Sequence, residues 1–482
     1  MARVVVLGAG VAGHTAAPYL RKGLGKEHEV MVISPNSKYQ YIPSNIWIGV
    51  GRMTARQTTF PLKPVYEKNG ILYKQAKVIS FHPEGDKEID KGYVLVEYTD
   101  EANKGKTEKV TYDYLVNATG PKLNFAATEG LYPGKNKTVS VCTYDHATQA
   151  WEKLKALIER LKKGDTAKIV IGTGNGSSTC QGAAFEYILN VDKELRRHKV
   201  RDKVELTWLS NEYNVGDFGM DDMYFKVGTS IMTAQDLGEM LFADRGINWI
   251  VQAAVYKVED GVAHYETLDG EKKSIEFDFA MLIPAFSGHG FKSYDKDGNE
   301  NTEKLFKAFM IVDADYTPKP YEEWSAKDWP ETYQNPSYPN IFAAGIAFQP
   351  PHTISRPRKS PDGTNITPAP PRTGMPSGII GKLVADNIID MIKNGTTTPK
   401  HKGSMANMGA ACVASSGYGG LTGSAITMVL YPIVPDFEKY PKYGRTIKVG
   451  AFGLSGHWIK KILHHMFIYK AKLRPGWHMI PE

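Results

Sequence analysis

The sequence predicts an α/β fold: two Rossmann-like dinucleotide-binding domains plus a C-terminal membrane-associating region with an amphipathic helix. Three observations predict it: a glycine-rich turn at the start of the chain, a second one near residue 172, and a basic, amphipathic last helix. A chain of 482 residues has room for two or three domains and a large core. With 42% hydrophobic and 23% charged residues it reads neither as disordered nor as a polytopic membrane protein. Its most apolar run, Ala425 to Val434, falls short of the ~20 residues of a spanning helix and is interrupted by Thr427. The net charge of +7 is modest and calls for no nucleic acid, but Lys460, Lys461, Lys470, Lys472 and Arg474 concentrate it at one end. Arg3 to Leu7 runs straight into the glycine turn, so no cleavable export signal is expected.

In chain order, Val4 to Leu7 reads as a strand, Gly8-Ala9-Gly10-Val11-Ala12-Gly13 as a turn, His14 to Gly23 as a helix and Glu29 to Ile33 as a second strand. In such a βαβ unit the first glycine makes the tight turn, the second admits backbone N–H groups to a pyrophosphate, and the third lets the helix pack closely. Ser34, followed by Pro35, stands where an acidic residue usually meets a ribose hydroxyl. A neutral hydroxyl still hydrogen-bonds a ribose, so the departure weighs against NAD more than against FAD. Val110 to Val116 reads as a strand ending in Asn117-Ala118-Thr119-Gly120, which is either an ordinary turn or the one that passes close to FAD in many two-dinucleotide flavoproteins.

A helix over Asp145 to Lys163 and a strand over Ala167 to Ile171 lead into Gly172-Thr-Gly174-Asn-Gly176, which repeats the layout and suggests duplication. Strands at Val204 to Leu209 and Ala280 to Ile283 complete this second unit. The stretch 313–372, rich in Pro, Trp and Tyr, reads as irregular, broken by an apolar strand over Asn340 to Ala347. A helix starting near Gly374 has a positive N-terminal end suited to a flavin carbonyl. In the last helix, near Ser455 to Leu473, Trp458, Ile459, Ile462, Leu463, Met466 and Phe467 recur at helical spacing with Lys460, Lys461, His464 and His465 between them. That pattern suits a core-packed helix or, given its basic flank and terminal aromatics, one lying on a membrane surface. The three cysteines, Cys142, Cys180 and Cys412, are too far apart for a CxxC or zinc motif, no metal site is expected, and by themselves they read as inert buried thiols.

The motifs in series change that last reading. Gly8-Ala-Gly10, Ser34-Pro35, Tyr41-Ile-Pro43-Ser-Asn45, Tyr114 to Lys122, Cys142-Thr-Tyr-Asp-His146, Cys180-Gln-Gly-Ala-Ala-Phe-Glu186-Tyr, Ile283-Pro-Ala-Phe286, Phe342-Ala-Ala-Gly345-Ile-Ala347 and Ala411-Cys412 occur in order. On these the chain resembles, from end to end, the sulfide:quinone oxidoreductases, flavoproteins of the two-dinucleotide-domain disulfide reductase superfamily. The resemblance implies an enzyme that oxidises sulfide to polysulfide or zero-valent sulfur through FAD and reduces membrane quinone. It implies a redox pair of Cys180 and Cys412 beside the flavin, with Cys412 nearest the ring, Cys180 holding the growing sulfur chain and Cys142 a third thiol near the sulfur pathway. His146 and Glu186 match family positions for proton transfer. Asp217 falls in the segment where the family has a histidine.

FAD would be held by the turn Gly8 to Gly13, by Ser34, Pro35, Pro43, Ser44 and Val78, by Ala118, Thr119 and Gly120, and by Gly345, Ile346 and Gly374. Lys460 aligns with a family lysine at the N1 and O2 edge of the flavin. The quinone slot would take Val413, Leu463, Phe467 and Trp477, the first two standing where the family has aromatics. The implied division is residues 1–125 for the first part of the FAD-binding Rossmann domain, 126–300 for the second Rossmann-like domain, 301–403 for the rest of the first, and 404–482 for the redox-cysteine and membrane region. The implied setting is peripheral, monotopic association with the cell membrane, as a homo-oligomer.

Alternatives are weaker. A lipoamide- or glutathione-type reductase needs a close cysteine pair soon after the first βαβ unit, and the first cysteine is Cys142. A type II NADH:quinone oxidoreductase should end the second strand of its second unit in an acidic residue, where this chain has Ser210-Asn211 with Glu212 slightly late. The flavoprotein of a flavocytochrome c sulfide dehydrogenase is exported, and a flavin-bearing sulfide sensor would not need a lipid-facing terminus.

Overall fold

Strands buried on both faces require helices on both sides of a sheet, and the β-branched run at the start of the chain is such a strand. The computed structural model describes residues 1–178, 181–221, 223–227, 229–449 and 451–482. Its first sheet begins with β1 (Arg3–Leu7), buried from Val4 onward, followed by α1 (Val11–Leu24), β2 (Glu29–Ser34), β3 (Leu72–His82), β4 (Tyr93–Tyr98), β5 (Thr107–Thr111) and β6 (Tyr114–Asn117). β1 pairs in parallel with β2, Leu7 opposite Ile33, and with β6, Leu7 opposite Asn117. The single strand expected over Val110 to Val116 is therefore two. The chain breaks at Tyr112–Asp113, where the Asp113 carboxylate accepts the Arg3 N–H at 2.6 Å, and β5 pairs antiparallel with β4 instead of continuing.

The second sheet is built from β7 (Thr138–Val139), β8 (Ala167–Thr173), β9 (Val204–Leu209), β10 (Ile247–Ile250) and β11 (Phe279–Ile283), all parallel, in the order β7-β11-β8-β9-β10. Between its strands run α2 (Tyr144–Lys162) and α3 (Gly182–Arg197). β12 (Ile341–Ala343) then returns to the first sheet beside β6, giving the order β12-β6-β1-β2-β3-β4-β5. It is shorter than the expected Asn340 to Ala347, because Gly345–Ala347 turns into a 3-10 helix. α4 (Gly374–Asn394) packs along α1, with Gly381 against the Ala12 carbonyl.

Last come β13 (Ala410–Gly417), β14 (Ser424–Leu430) and β15 (Ala451–Gly453), an antiparallel sheet crossed by α5 (Leu454–Ala471). The face that α5 turns inward is polar: His457, Lys460, His464 and Lys470 are buried, while Trp458, Ile459 and Ile462 are 41%, 45% and 60% exposed. Each of three inward groups is satisfied, Lys460 by Glu186, His464 by Ser44 and Lys470 by Glu482. The core-packed reading of this helix thus fails for its outer apolar stripe. Among the described residues no helix is long and apolar enough to cross a membrane.

Candidate active site

β1 ends in the first glycine turn, which has no room for a side chain at its first and third glycines. Gly8 has φ +96°, and a Cβ there would lie 2.2 Å from the Ala118 carbonyl oxygen; one on Gly13 would lie 2.1 Å from the Gly8 oxygen. Gly13 accordingly sits behind the turn. At Gly10, the residue capping α1, an added Cβ meets nothing within 4 Å, and the first turn of α1 carries no acidic residue. The result is an open helix N-terminus with free donors, the cradle a pyrophosphate needs. Ser34, at the end of β2, is buried and its hydroxyl accepts the Asn36 N–H at 3.3 Å.

This cradle opens on a cavity of about 1330 Å³, larger than the ~300–1,000 Å³ of most small-molecule pockets and suited to a dinucleotide. Apart from Gly13, every residue assigned above to FAD lines it: 8–12, 34–35, 43–44, Val78, 118–120, Gly345, Ile346, Gly374 and Lys460. Strand ends of the first sheet and the N-termini of α1 and α4 supply these positions, so the donor set and the shape fit a flavin dinucleotide.

Two cysteines reach the same cavity. Cys142, just before α2, and Cys412, on β13 opposite Met428, are both half-buried and both line it. Cys180 lies outside the described residues; Gln181, Gly182 and Ala183, which follow it, line the cavity. Beside Cys412 the chain places an ion pair. Lys460 donates to a Glu186 carboxylate oxygen and, at 3.0 Å, to the carbonyl of Val413. Burial raises the Glu186 carboxyl above its ordinary value, and the Lys460 charge and hydrogen bond oppose that rise. The pair rests on a buried scaffold in which Asn190 Nδ2 donates to the Glu186 and Ser415 carbonyls at 2.8 and 2.9 Å, and Trp47 Nε1 donates to Ser415 Oγ at 3.1 Å. His146 stands outside the cavity lining. Its N–H caps α2 by donating to Thr143 Oγ1 at 3.2 Å, and its ring meets Phe125 edge-on.

The C-terminal wall carries Val413, Leu463, Phe467 and Trp477, all lining the cavity. Phe467 stacks on Tyr41 at 6.1 Å, and Trp477 meets Tyr19 edge-on at 4.9 Å. Sequence reasoning missed several partners here: Trp47, His464, whose Nδ1 is 2.8 Å from Ser44 Oγ, and the buried Arg372. Single residues with no local pattern give no signal for such contacts.

The second glycine run is filled by the protein itself. The Asn175 N–H donates to Thr128 Oγ1 at 2.7 Å, Asn175 Nδ2 to the Ala127 carbonyl at 3.0 Å, and Ser177 Oγ to the Thr367 carbonyl at 2.9 Å. Asn211, after β9, closes the turn by donating to the Gly176 carbonyl at 3.1 Å. Glu212 is turned inward, accepting the Phe218 N–H, so it is not presented to a ribose.

Comparison with known proteins agrees with this geometry. The model of the pyridine nucleotide-disulphide oxidoreductase family matches residues 2–283. The sulfide-quinone reductase of Aquifex aeolicus is 28% identical over 469 residues, 97% of this chain and 91% of that one. The crystal structure of the sulfide:quinone oxidoreductase from the same bacterium superposes with a TM-score of 0.74 at 26% identity, covering 98% of this chain and 92% of that one. An external alternative NAD(P)H-ubiquinone oxidoreductase of Arabidopsis thaliana matches less, 29% over 133 residues, 27% of this chain and 21% of its own.

Proposed function

The chain belongs to the pyridine nucleotide-disulphide oxidoreductase family, and from that premise we propose that it is a sulfide:quinone oxidoreductase that holds FAD and works at a membrane surface. One observation carries the reading: the open glycine turn of the first sheet, Cys142, Cys412 and the C-terminal helix all border a single cavity. Bound FAD supplies two-electron storage, taking the pair released as sulfide sulfur rises from −2 to zero and passing it to quinone.

The protein's part begins with sulfur. HS⁻ attacks the Cys180 sulfur of a Cys180–Cys412 disulfide; that S–S bond breaks, a new one forms as a persulfide on Cys180, and Cys412 leaves as a thiolate with the electron pair. Glu186 takes the proton of the new persulfide, its proton affinity raised by burial. Lys460, bridging Glu186 and the Val413 carbonyl, fixes the strand on which Cys412 sits. Cys142, on the same cavity, stands as a third thiol beside the sulfur path, while the growing chain stays on Cys180. The quinone ring is gripped by Phe467, Leu463, Val413 and Trp477, entering from the side where α5 turns Trp458, Ile459 and Ile462 outward among Lys461, Lys472 and Arg474. An apolar face with a basic rim suits the headgroup layer of an anionic bilayer.

The filled second glycine run argues against NADH as the reductant. Anaerobic addition of either sulfide or NADH to the flavin-loaded protein separates the two: sulfide bleaches the flavin and a soluble quinone restores it, whereas NADH leaves it oxidised. Bleaching by NADH alone would overturn the proposal.

A further inference from the structure

Charge inside the cavity is not balanced. Among the described lining residues three cations are buried: Lys460, Lys470 and Arg372. Two of them face carboxylates that line the same cavity, Lys460 facing Glu186 and Lys470 facing Glu482 at 2.6 Å. His14, also buried there, is driven by burial down to about 4 and is neutral at pH 7.

Arg372 is different. It is 3% exposed, and among the described residues no carboxylate pairs with it. Its Nη1 donates to the carbonyls of Ile346 at 2.9 Å and Phe348 at 2.6 Å, and its guanidinium lies 4.8 and 5.4 Å from the ring centres of Phe309 and Phe348. Its Nε is buried with no hydrogen-bond partner. A guanidinium keeps its proton, so the residue brings a full positive charge into the interior. It stands immediately before the N-terminus of α4, whose first turn has no acidic residue and whose unsatisfied N–H groups add charge of the same sign. A buried cation left without a counter-ion is costly, and an anionic occupant of the cavity removes the cost.

We propose that Arg372, the one buried cation among the described lining residues that no carboxylate pairs with, acts together with the N-terminus of α4 to stabilise the negative charge a bound flavin acquires on two-electron reduction. Lys460, the residue that the resemblance places in that role, is paired with the Glu186 carboxylate as long as Glu186 is ionised, which is its state before it takes up a proton in turnover. Arg372 thereby raises the reduction potential of the flavin. The inference rests on the flavoenzyme reading above but not on which substrate delivers the electrons.

The test uses the flavin-loaded full chain reduced anaerobically by dithionite against reference dyes, so neither sulfide nor quinone enters. R372Q should make reduction at least tenfold less favourable, ~30 mV in a two-electron potential, while R372K stays near wild type. E186Q, which releases the charge of Lys460, should shift the potential upward. R372K and R372Q behaving alike, both at the wild-type potential, both lowered or both without flavin, overturns the proposal, because charge is then not what Arg372 supplies. R372Q at the wild-type potential overturns it whatever R372K does, and so does an E186Q potential at or below wild type. Potentials that shift as stated in a protein that fails to oxidise sulfide would refute only the substrate assignment.

Discussion

Replacing Glu212 with glutamine tests how the loop after β9 is anchored beside the cavity. Glu212 is fully buried; its Oε1 accepts the Phe218 N–H at 2.7 Å, its Oε2 the Ser210 hydroxyl at 3.3 Å, and Phe218 lines the cavity. Burial, aided by the neighbouring Asp217, pushes its carboxyl up to about 8 from an ordinary 4.5. Between those values the folded chain holds a proton that the unfolded chain has lost. The stability from this proton is therefore fully present below pH 4.5 and declines by ~1.4 kcal/mol per pH unit until the folded carboxyl itself ionises near 8. From pH 6 to pH 8 the integrated loss is about 2 kcal/mol. E212Q keeps an oxygen for the Phe218 N–H and has nothing to titrate. Urea unfolding of both proteins at pH 6 and pH 8 should show the wild type losing about 2 kcal/mol relative to E212Q at the higher pH. A stability difference that does not change with pH refutes the reasoning, since the buried group would then already be ionised at pH 6.

Two further perturbations address the C-terminal region. Lys460→Met leaves the Glu186 carboxyl buried without its cation, at a cost of about 3 kcal/mol, and adding Glu186→Gln should restore most of it; a urea double-mutant cycle showing simple additivity would dissolve the pairing. Ile462→Glu puts a charge on the outward face of α5 and should cut co-sedimentation with anionic vesicles at least tenfold while sulfide still reduces a soluble quinone. Unchanged sedimentation would remove α5 from the membrane contact.

Legibility in the sequence followed the range of the interactions. The first βαβ unit was readable because its glycines answer to local geometry: Gly8 and Gly13 abut backbone oxygens and any side chain there collides. The family resemblance and the α/β layout rested on similar short motifs. The Glu186–Lys460 pair was not readable, since each residue alone resembles a solvated helix charge and they are brought together only when α5 crosses β13 beside α3. For the same reason the inward face of α5 defied its hydrophobic spacing: Lys460 and His464 find buried partners, so the apolar side chains are the ones left outside. The second glycine run shows a third kind of limit. Its pattern announces a nucleotide site, but Thr128 and the segment around Thr367, which occupy it, come from distant parts of the chain with no motif of their own.

In the proposed reaction electrons leave sulfur through Cys412, and anaerobic sulfide titration of the flavin-loaded wild type and Cys412→Ala measures that route most directly. The wild type should bleach with sulfide and recover its absorbance when quinone is added. The variant should stay yellow under sulfide yet bleach with dithionite. Rapid bleaching of Cys412→Ala by sulfide would mean that electrons reach the flavin without that thiol.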